Sequence, residues 1–236
     1  MKRSIKILSI LFLMSSFGFA QKHQTVQNLP KYDKQKIHFG FALGINSCNF
    51  KIDKNVSLYS SDTLYNVDNV KKSGFNLGIV TNLHMGQHFD LRFIPDLCFA
   101  QRDLVYTFYE NGKPTRTPTT KKIESTFIEF PLLLKFKSNR VGNFRAYAIA
   151  GVQYNIDMVS QAKVENKDRE YVKLKKKDFG YTVGAGTDFY LEMFKLSLEV
   201  RMFNGIPNLL VTDNTVFSNS LNSLRTKMFQ FSIFFE

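Results

Sequence analysis

Residues 36–46, "KIHFGFALGIN", alternate between large apolar side chains and small or polar ones. In an extended chain the large side chains fall on one face and glycine, alanine, histidine and asparagine fall on the other. This period of two predicts a β-strand with one apolar face. The pattern returns along the chain and predicts eight strands, at residues 36–51, 73–85, 89–102, 123–137, 144–157, 178–191, 195–203 and 226–236.

The predicted connections alternate between short and long. Strands two, four and six are followed by short turns, whereas strands one, three, five and seven are followed by long connections. An even number of alternating strands with this asymmetry is typical of outer-membrane barrels. We therefore expect an all-β fold, an eight-stranded antiparallel up-and-down transmembrane β-barrel over residues 36–236, with both termini periplasmic. The long connections are 52–72, 103–122, 158–177 and 204–225.

Periodicity alone does not say which face points outward. A soluble lipocalin-like barrel has the same alternation turned inside out. The second face favours lipid outside, because it is rich in glycine, alanine, asparagine and serine and carries sparse charges of both signs, as a narrow lumen with paired groups requires. We expect the apolar side chains to face lipid and the following residues to line the lumen: Asp90, Arg92, Asp96, Arg102, Glu129, Lys135, Asp188, Glu199 and Arg201.

Two features fit this scheme less easily. Pro95 and Pro131 lie inside predicted strands, so each is expected to mark a bulge or a strand end. The chain also has no tryptophan for an interfacial girdle, in which aromatic residues sit at the level of the lipid headgroups. Tyrosines in or near the long connections are either part of this girdle or solvated loop residues: Tyr59, Tyr65, Tyr106, Tyr109, Tyr154 and Tyr171.

The cysteines and histidines do not indicate a reactive site. Cys48 and Cys98 fall on the first and third strands, roughly 9.5 Å apart, which is beyond the reach of a disulfide. We expect both to fill the interior. The histidines lack the spacing of metal ligands, so no metal or cofactor is predicted: His23, His38, His84 and His88.

The first residues, "MKRSIKILSILFLMSSFGFAQ", combine a positive leader, a short apolar run and small residues before a cleavage point after Ala20. This arrangement predicts a secretory signal peptide at 1–20. Residues 21–35 are polar and lack periodicity, which predicts a periplasmic N-terminal stretch. The expected location is the outer membrane, reached after Sec export.

The formal net charge is +12, and removing the three positive charges of the leader leaves +9 for the exported chain. Export and the lack of a basic helix or stacking motif argue against nucleic acid as a partner. The basic residues cluster in the loops, which are either solvated or in contact with anionic lipopolysaccharide or an acidic partner. Segment 163–177 is the preferred outer contact, because its basic residues outnumber its acids.

Several stretches resemble the PorT (also SprT) family, outer-membrane barrels associated with the type IX secretion system. The polar "NLPKYDKQK" joined to "HFGF" is the most specific of them. The resemblance implies a role in the export of cargo proteins across the outer membrane, and in gliding motility, with other type IX components as partners and no catalytic residues. The matching stretches are "NLPKYDKQKIHFGFALGIN" (28–46), "FIEFPLLLKFKSNR" (127–140), "RAYAIAGVQYN" (145–155), "FGYTVGAGTDFYL" (179–191) and "SLEVRMFNGIPNLL" (197–210).

Two other functions remain open. An outer-membrane lipid-modifying enzyme needs a nucleophile held by a base. His84 is the best-placed base, but no serine is evidently paired with it, and a satisfied interior histidine is the expected role. A loop-presenting adhesin is the second alternative. We predict no catalytic, cofactor-binding or metal-binding residue, and an interior too narrow for a folded cargo, because an eight-stranded barrel is filled by its own side chains.

Overall fold

The structure, a computed structural model, describes residues 26–55, 64–110, 113–114, 117–160, 172–212 and 216–236. The predicted signal peptide, Tyr59 and Tyr171 lie outside these residues. Among the residues described, no helix has the length and hydropathy needed to cross a bilayer. The elements are a 3-10 turn (Tyr32–Lys34), β1 (Ile37–Lys54), β2 (Leu64–His84), β3 (Phe89–Phe93), β4 (Asp96–Glu110), β5 (Lys113–Pro114), β6 (Thr119–Lys137), β7 (Phe144–Asp157), β8 (Lys177–Tyr190), β9 (Lys195–Gly205), α1 (Val216–Asn219) and β10 (Leu221–Phe235).

The strands form one closed antiparallel ring. Each long strand pairs with its neighbours in chain order, and β1 pairs with both β2 and β10, which closes the sheet. β3 and β4 share one position in the wall, and the short β5 pairs only with β4. The predicted eight-stranded up-and-down barrel is confirmed. We call the end with the three short turns the turn end and the opposite end the loop end.

The strands extend further toward the loop end than the alternation predicts. β2 begins at Leu64 rather than at residue 73, and β1, β4, β6 and β10 are also longer than expected. The register of β2 against β4 shifts between Lys71 and Phe75. The extra residue on β2 changes which of its residues face inward, from even to odd numbers, on the far side of the bulge. A strand predicted from strict alternation therefore stops at the bulge. Much of the predicted long connections 52–72 and 103–122 is therefore strand.

Side-chain exposure confirms the predicted faces. Phe39 and Ile45 are 68% and 64% exposed, whereas Ala42 and Asn46, on the opposite face, are 2% and 3% exposed. The charged residues predicted to line the lumen are all buried there. The inside-out alternative, a lipocalin-like barrel, does not fit this arrangement.

The outward apolar residues form a band around the wall. On β1 they run from Ile37 to Ile45, about 26 Å along the strand and about 20 Å in height at a tilt of about 40°. The next outward residues, Ser47, Asn49 and Lys51, are polar. The apolar band thus ends before the strand does, and the remainder of β1 rises beyond it.

The two prolines share one interruption of the sheet. β3 ends at Phe93 and β4 begins at Asp96, so Pro95 marks a strand end, as predicted. Pro131 lies inside β6 without a register shift, so the prediction of a bulge or strand end is wrong there. Ile94 donates to the Pro131 carbonyl at 3.3 Å. The missing N–H of Pro131 therefore faces the gap beside Pro95, where the ladder is already broken.

A separate apolar core fills the loop end of the barrel. Leu174, between β7 and β8, forms a bridge with Leu210, between β9 and β10, and Phe217 of α1 packs edge-on against Tyr106. Tyr106 is fully buried, so its prediction as a girdle or solvated residue is wrong. The core comprises Phe50, Leu64, Val67, Leu104, Tyr106, Val172, Leu174, Leu209, Leu210, Phe217, Leu221 and Leu224.

Both cysteines are buried and free, as predicted. They lie on β1 and β4, which are separated by β2. The Cys98 Sγ contacts the Met228 sulfur at 3.7 Å and accepts from the Asn46 amide at 3.3 Å. The cysteines therefore serve as interior packing groups between the charged lumen and the loop-end core.

Candidate functional site: a sealed lumen with a clamped turn end

Glu236 is the centre of a buried ion network near the turn end. Its carboxylate accepts from Arg92 and from Lys195, each at 2.9 Å. Arg92 also donates to Glu199 at 3.0 Å, and the Tyr147 hydroxyl donates to the same Glu199 oxygen at 2.9 Å. Because each charge has a hydrogen-bonded partner of opposite sign or a polar neighbour, the network offsets part of the desolvation that burial imposes.

Further ion pairs occupy the lumen beside this network and on its loop-end side. Lys135 donates to both oxygens of Asp188, at 2.8 and 2.9 Å. Arg201 lies 2.5 Å from Asp96 and 3.9 Å from Glu129. Most of the charges that alternation assigned to the lumen are thus brought together as pairs, whereas Arg102 donates to the hydroxyls of Ser125 and Thr226.

These side chains seal the barrel. Arg92, Lys135, Lys195, Arg102 and Arg201 are each at most 2% exposed. A long side chain that no water reaches leaves no aqueous path at its level of the lumen. The apolar core at the loop end continues the filled interior on the other side of these charges. Both the charged and the apolar parts of the interior are therefore filled.

Residues 26–35 form a clamp across the turn end, which we call the N-terminal clamp. The Tyr32 ring stacks on His38 with centroids 3.8 Å apart, and its hydroxyl donates to Glu236 at 3.1 Å. Asp33 accepts two hydrogen bonds from the Arg145 guanidinium, both at 2.9 Å. The clamp therefore connects directly to the ion network of the lumen.

Asn28 attaches the start of the clamp to two short turns. Its N–H donates to Asn143 at 2.9 Å, and its amide donates to the Tyr190 carbonyl at 3.0 Å. Arg140 donates to the Asn28 carbonyl. Leu29 has a φ of 50°, a conformation uncommon outside glycine, and the contacts on either side hold it there.

The titration of two clamp residues follows from these contacts. Burial and the neighbouring Glu236 carboxylate raise the pKa of Tyr32 above its usual range, so its hydroxyl remains a donor. Partial burial alone would raise the pKa of Asp33, but the hydrogen bonds and charge of Arg145 outweigh it and the pKa is lowered. Asp33 is therefore ionised and paired at neutral pH.

The clamp is the feature that sequence reasoning missed. The lack of periodicity in residues 21–35 predicts only a polar periplasmic stretch, with no contact to the barrel specified. The contacts come from Asn28, Tyr32 and Asp33, which stand in the "NLPKYDKQK" stretch that carried the resemblance. That stretch, rather than hydrophobic pattern, was the available signal.

His84 occupies the predicted interior position near a short turn. Its Nδ1 lies 2.8 Å from Asp90 and 3.1 Å from the Lys137 ammonium. The small cavity beside it is lined by Tyr32, Asp33, His38, Asn82, His84, Asp90, Lys137, Arg145, Asp188, Tyr190 and Lys195. None of these is a serine, threonine or cysteine, so the cavity holds no nucleophile of the kind an esterase-like reaction needs.

Over the described part of the chain, no group of three histidine, cysteine, aspartate or glutamate residues has a geometry suited to a metal ion.

The two glycines of "GAG", residues 184–186, allow close packing inside the barrel. A Cβ at Gly186 would lie 2.4 Å from the Tyr147 ring. The motif thus makes room for the tyrosine that donates to Glu199.

Comparison with protein families matches residues 19–211 to the family described as outer membrane protein beta-barrel domain. The chain belongs to this family. Membership, together with the closed barrel and its apolar band, places the protein in the outer membrane. No curated protein matches the sequence.

The chain is similar at low identity to solved structures of small outer-membrane proteins. OprG from Pseudomonas aeruginosa is 15% identical, with 84% of this chain and 91% of that chain covered and a TM-score of 0.40. Neisserial surface protein A is 11% identical, with coverages of 85% and 99% and a TM-score of 0.40. Ail of Yersinia pestis is 13% identical, with coverages of 85% and 99% and a TM-score of 0.37.

Proposed function

We propose that this barrel is a non-enzymatic component of the type IX secretion system that acts beside a larger channel. The sealed lumen is the observation that carries the adaptor role, because a folded cargo cannot pass through a space filled by ion pairs and an apolar core. The resemblance of "NLPKYDKQK" and the neighbouring strands to the PorT family supports the secretion role, and with it an accessory role in gliding motility.

In this proposal the chain is exported by the Sec pathway and inserted with the turn end in the periplasm. Short turns on the periplasmic side and long loops outside are the usual arrangement of such barrels. The N-terminal clamp then lies in the periplasm and presents a fixed surface to other secretion components. An esterase-like enzyme has no support at His84, because no serine, threonine or cysteine lines its cavity.

The first test joins a deletion strain to a conductance measurement. Deletion should leave type IX cargo inside the cell, and the wild-type gene should restore its export. The purified barrel should show no large, stable conductance in a planar bilayer. Normal cargo export in the deletion strain would remove the secretion role, whereas a large conductance would exclude the adaptor role.

The second part of the test concerns the clamp. Tyr32→Ala combined with Asp33→Ala should restore export poorly in the deletion strain, because it detaches the clamp from the barrel. Glu192→Ala combined with Met193→Ala is the matched control, since both side chains are exposed at the turn end but lie outside the clamp. Equal export by the two variants, at equal amounts of folded protein, would show that the clamp is not a partner surface.

A further inference from the structure

An exposed group of basic residues begins where the apolar band ends, on the wall formed by β8, β9, β10 and β1. Lys227 lies two residues beyond the outward Phe229, and its ammonium is 5.5 Å from that ring. Arg225 follows on the same face and is the cross-strand partner of Lys51. We call this group the basic belt: Lys51, Lys175, Lys176, Lys177, Arg225 and Lys227, all exposed.

Among the described residues, exposed acids are scarce on the wall that carries the basic belt. Above the apolar band, Asp53 is the only exposed acid among the residues described for these four strands and their loops. On the opposite wall, Lys72 lies 3.6 Å from Asp103, and Asp103 is the cross-strand partner of Lys122. Lys72 on the opposite wall therefore has an acidic partner, unlike Lys51 and Arg225 among the described residues.

The pairing of Lys51 with Arg225 is unfavourable in isolation. Like charges directly opposite each other on neighbouring strands destabilise a sheet. Neither side chain has an ion pair among the residues described, although acidic partners stabilise the lumen and the opposite wall. An anion bound between the two side chains would make this unfavourable interaction favourable, because each side chain would then contact a negative charge.

We propose that the basic belt binds the phosphate groups of a lipid A-type glycolipid. This inference rests on the proposed orientation, in which the loop end faces the outer leaflet. The position of Lys227 against Phe229 sets its ammonium at the boundary between hydrocarbon and headgroups, where long basic side chains reach anionic lipid. From β1 to β8 the belt spans three inter-strand spacings, roughly 14 Å, which is wide enough to engage two phosphates on one disaccharide headgroup.

The test measures lipid binding to the full mature protein purified in detergent, by native mass spectrometry. The probes are diphosphoryl lipid A, dephosphorylated lipid A and phosphatidylglycerol. The belt variant combines Lys51→Gln, Arg225→Gln and Lys227→Gln. Its matched control combines Lys71→Gln, Lys72→Gln and Lys122→Gln, which removes the same charge from the opposite wall.

We expect the wild type to prefer diphosphoryl lipid A over both other probes. The belt variant should lose roughly 100-fold in affinity for it, since each basic residue near an anionic headgroup contributes several-fold, whereas the control should stay within about threefold of wild type. Equal binding of dephosphorylated lipid A, or an equal loss in the control, would overturn the proposal. Equal binding of phosphatidylglycerol would show a general anionic-lipid surface and would overturn it as well.

Folding and function are read separately. A gel shift between unboiled and boiled samples reports the closed barrel, and we expect both variants to keep it because only exposed charges change. Lipid binding is measured without any secretion component. If the wild-type protein shows no preference for diphosphoryl lipid A but the deletion strain fails to export cargo, only the proposal for the basic belt is refuted. If the wild-type protein prefers diphosphoryl lipid A but the deletion strain exports cargo normally, only the secretion role is refuted.

Discussion

The ion pair between Lys135 and Asp188 provides the most direct test of a sealed lumen. Both side chains are at most 1% exposed, and the ammonium contacts both carboxylate oxygens within 2.9 Å. The ammonium also lies 3.6 Å from the centre of the Tyr147 ring. Lys135→Met removes the charge with little change in length and leaves Asp188 with one hydroxyl donor, Ser197, at 2.6 Å.

The structure allows the size of the effect to be estimated. Breaking a buried pair by removing one partner costs about 3 to 5 kcal/mol, because the remaining charge stays desolvated. The cation–π contact with Tyr147 adds up to about 2 kcal/mol when it is desolvated. We expect Lys135→Met to lower the free energy of unfolding by about 4 kcal/mol. Adding Asp188→Asn should recover about half of this loss, because it removes the uncompensated charge and keeps an acceptor for Ser197.

The assay has to suit a chain without tryptophan. Urea unfolding of the barrel in lipid vesicles can be followed by far-ultraviolet circular dichroism and by the gel shift of the closed barrel. Leu134→Met is the control, since Leu134 is the neighbouring residue on the outer face and is 42% exposed. Its effect should stay within about 0.5 kcal/mol.

Two results would refute the reasoning. If the double variant lost as much as the sum of the two single variants, the side chains would not be energetically coupled. If Lys135→Met lost less than about 1 kcal/mol, the typical value for exposed pairs, the lumen would be hydrated. The second result would also remove the argument against a pore.

Two further predictions concern the wall and the N-terminal clamp. Phe41→Arg should lower the free energy of unfolding in vesicles by about 2 to 4 kcal/mol, because it places a charge on the lipid face near the middle of the band. Ala42→Ser should have a smaller effect, and the opposite order would mean that the faces are inverted. The lowered pKa of Asp33 means that its contribution to clamp docking is present above its ordinary value of 3.8 and is lost as pH falls through the lowered value. In pepsin digestion, the wild type should therefore be cleaved within residues 26–35 more readily as the pH falls. Asp33→Asn should be cleaved there more readily than the wild type at about pH 5, above the usual aspartate range. Identical cleavage of the two proteins at that pH would contradict this prediction.

The candidate site was predictable in part. Alternation along single strands placed Arg92, Lys135 and Glu199 in the lumen, because inward and outward positions follow from the local geometry of a strand. It did not pair them. Arg92 and Glu199 are 107 residues apart, and their contact depends on how far the strands are staggered when the ring closes.

The clamp and the loop-end core were missed for a related reason. Tyr32 contacts Glu236 across 204 residues, and neither residue shows by its own sequence context that the other is near. Tyr106 keeps the inward phase of Arg102 and Leu104 on β4, but the predicted strand ended at residue 102, before this position. On the neighbouring β2, the bulge between Lys71 and Phe75 hides the matching extension. A bulge changes which residues face inward without any change in their hydrophobic pattern.

The sequence by itself determined the fold class, the number of wall positions, the face of most strand residues and the alternation of short and long connections. These properties are local, since side-chain direction has a period of two and a turn is marked by its own few residues. Only the tertiary structure decided that the lumen is sealed, that the N-terminal stretch closes the turn end and that the residues of the basic belt gather on one wall. These properties depend on which distant residues share a level of the barrel, and that is set by the stagger and closure of the whole sheet.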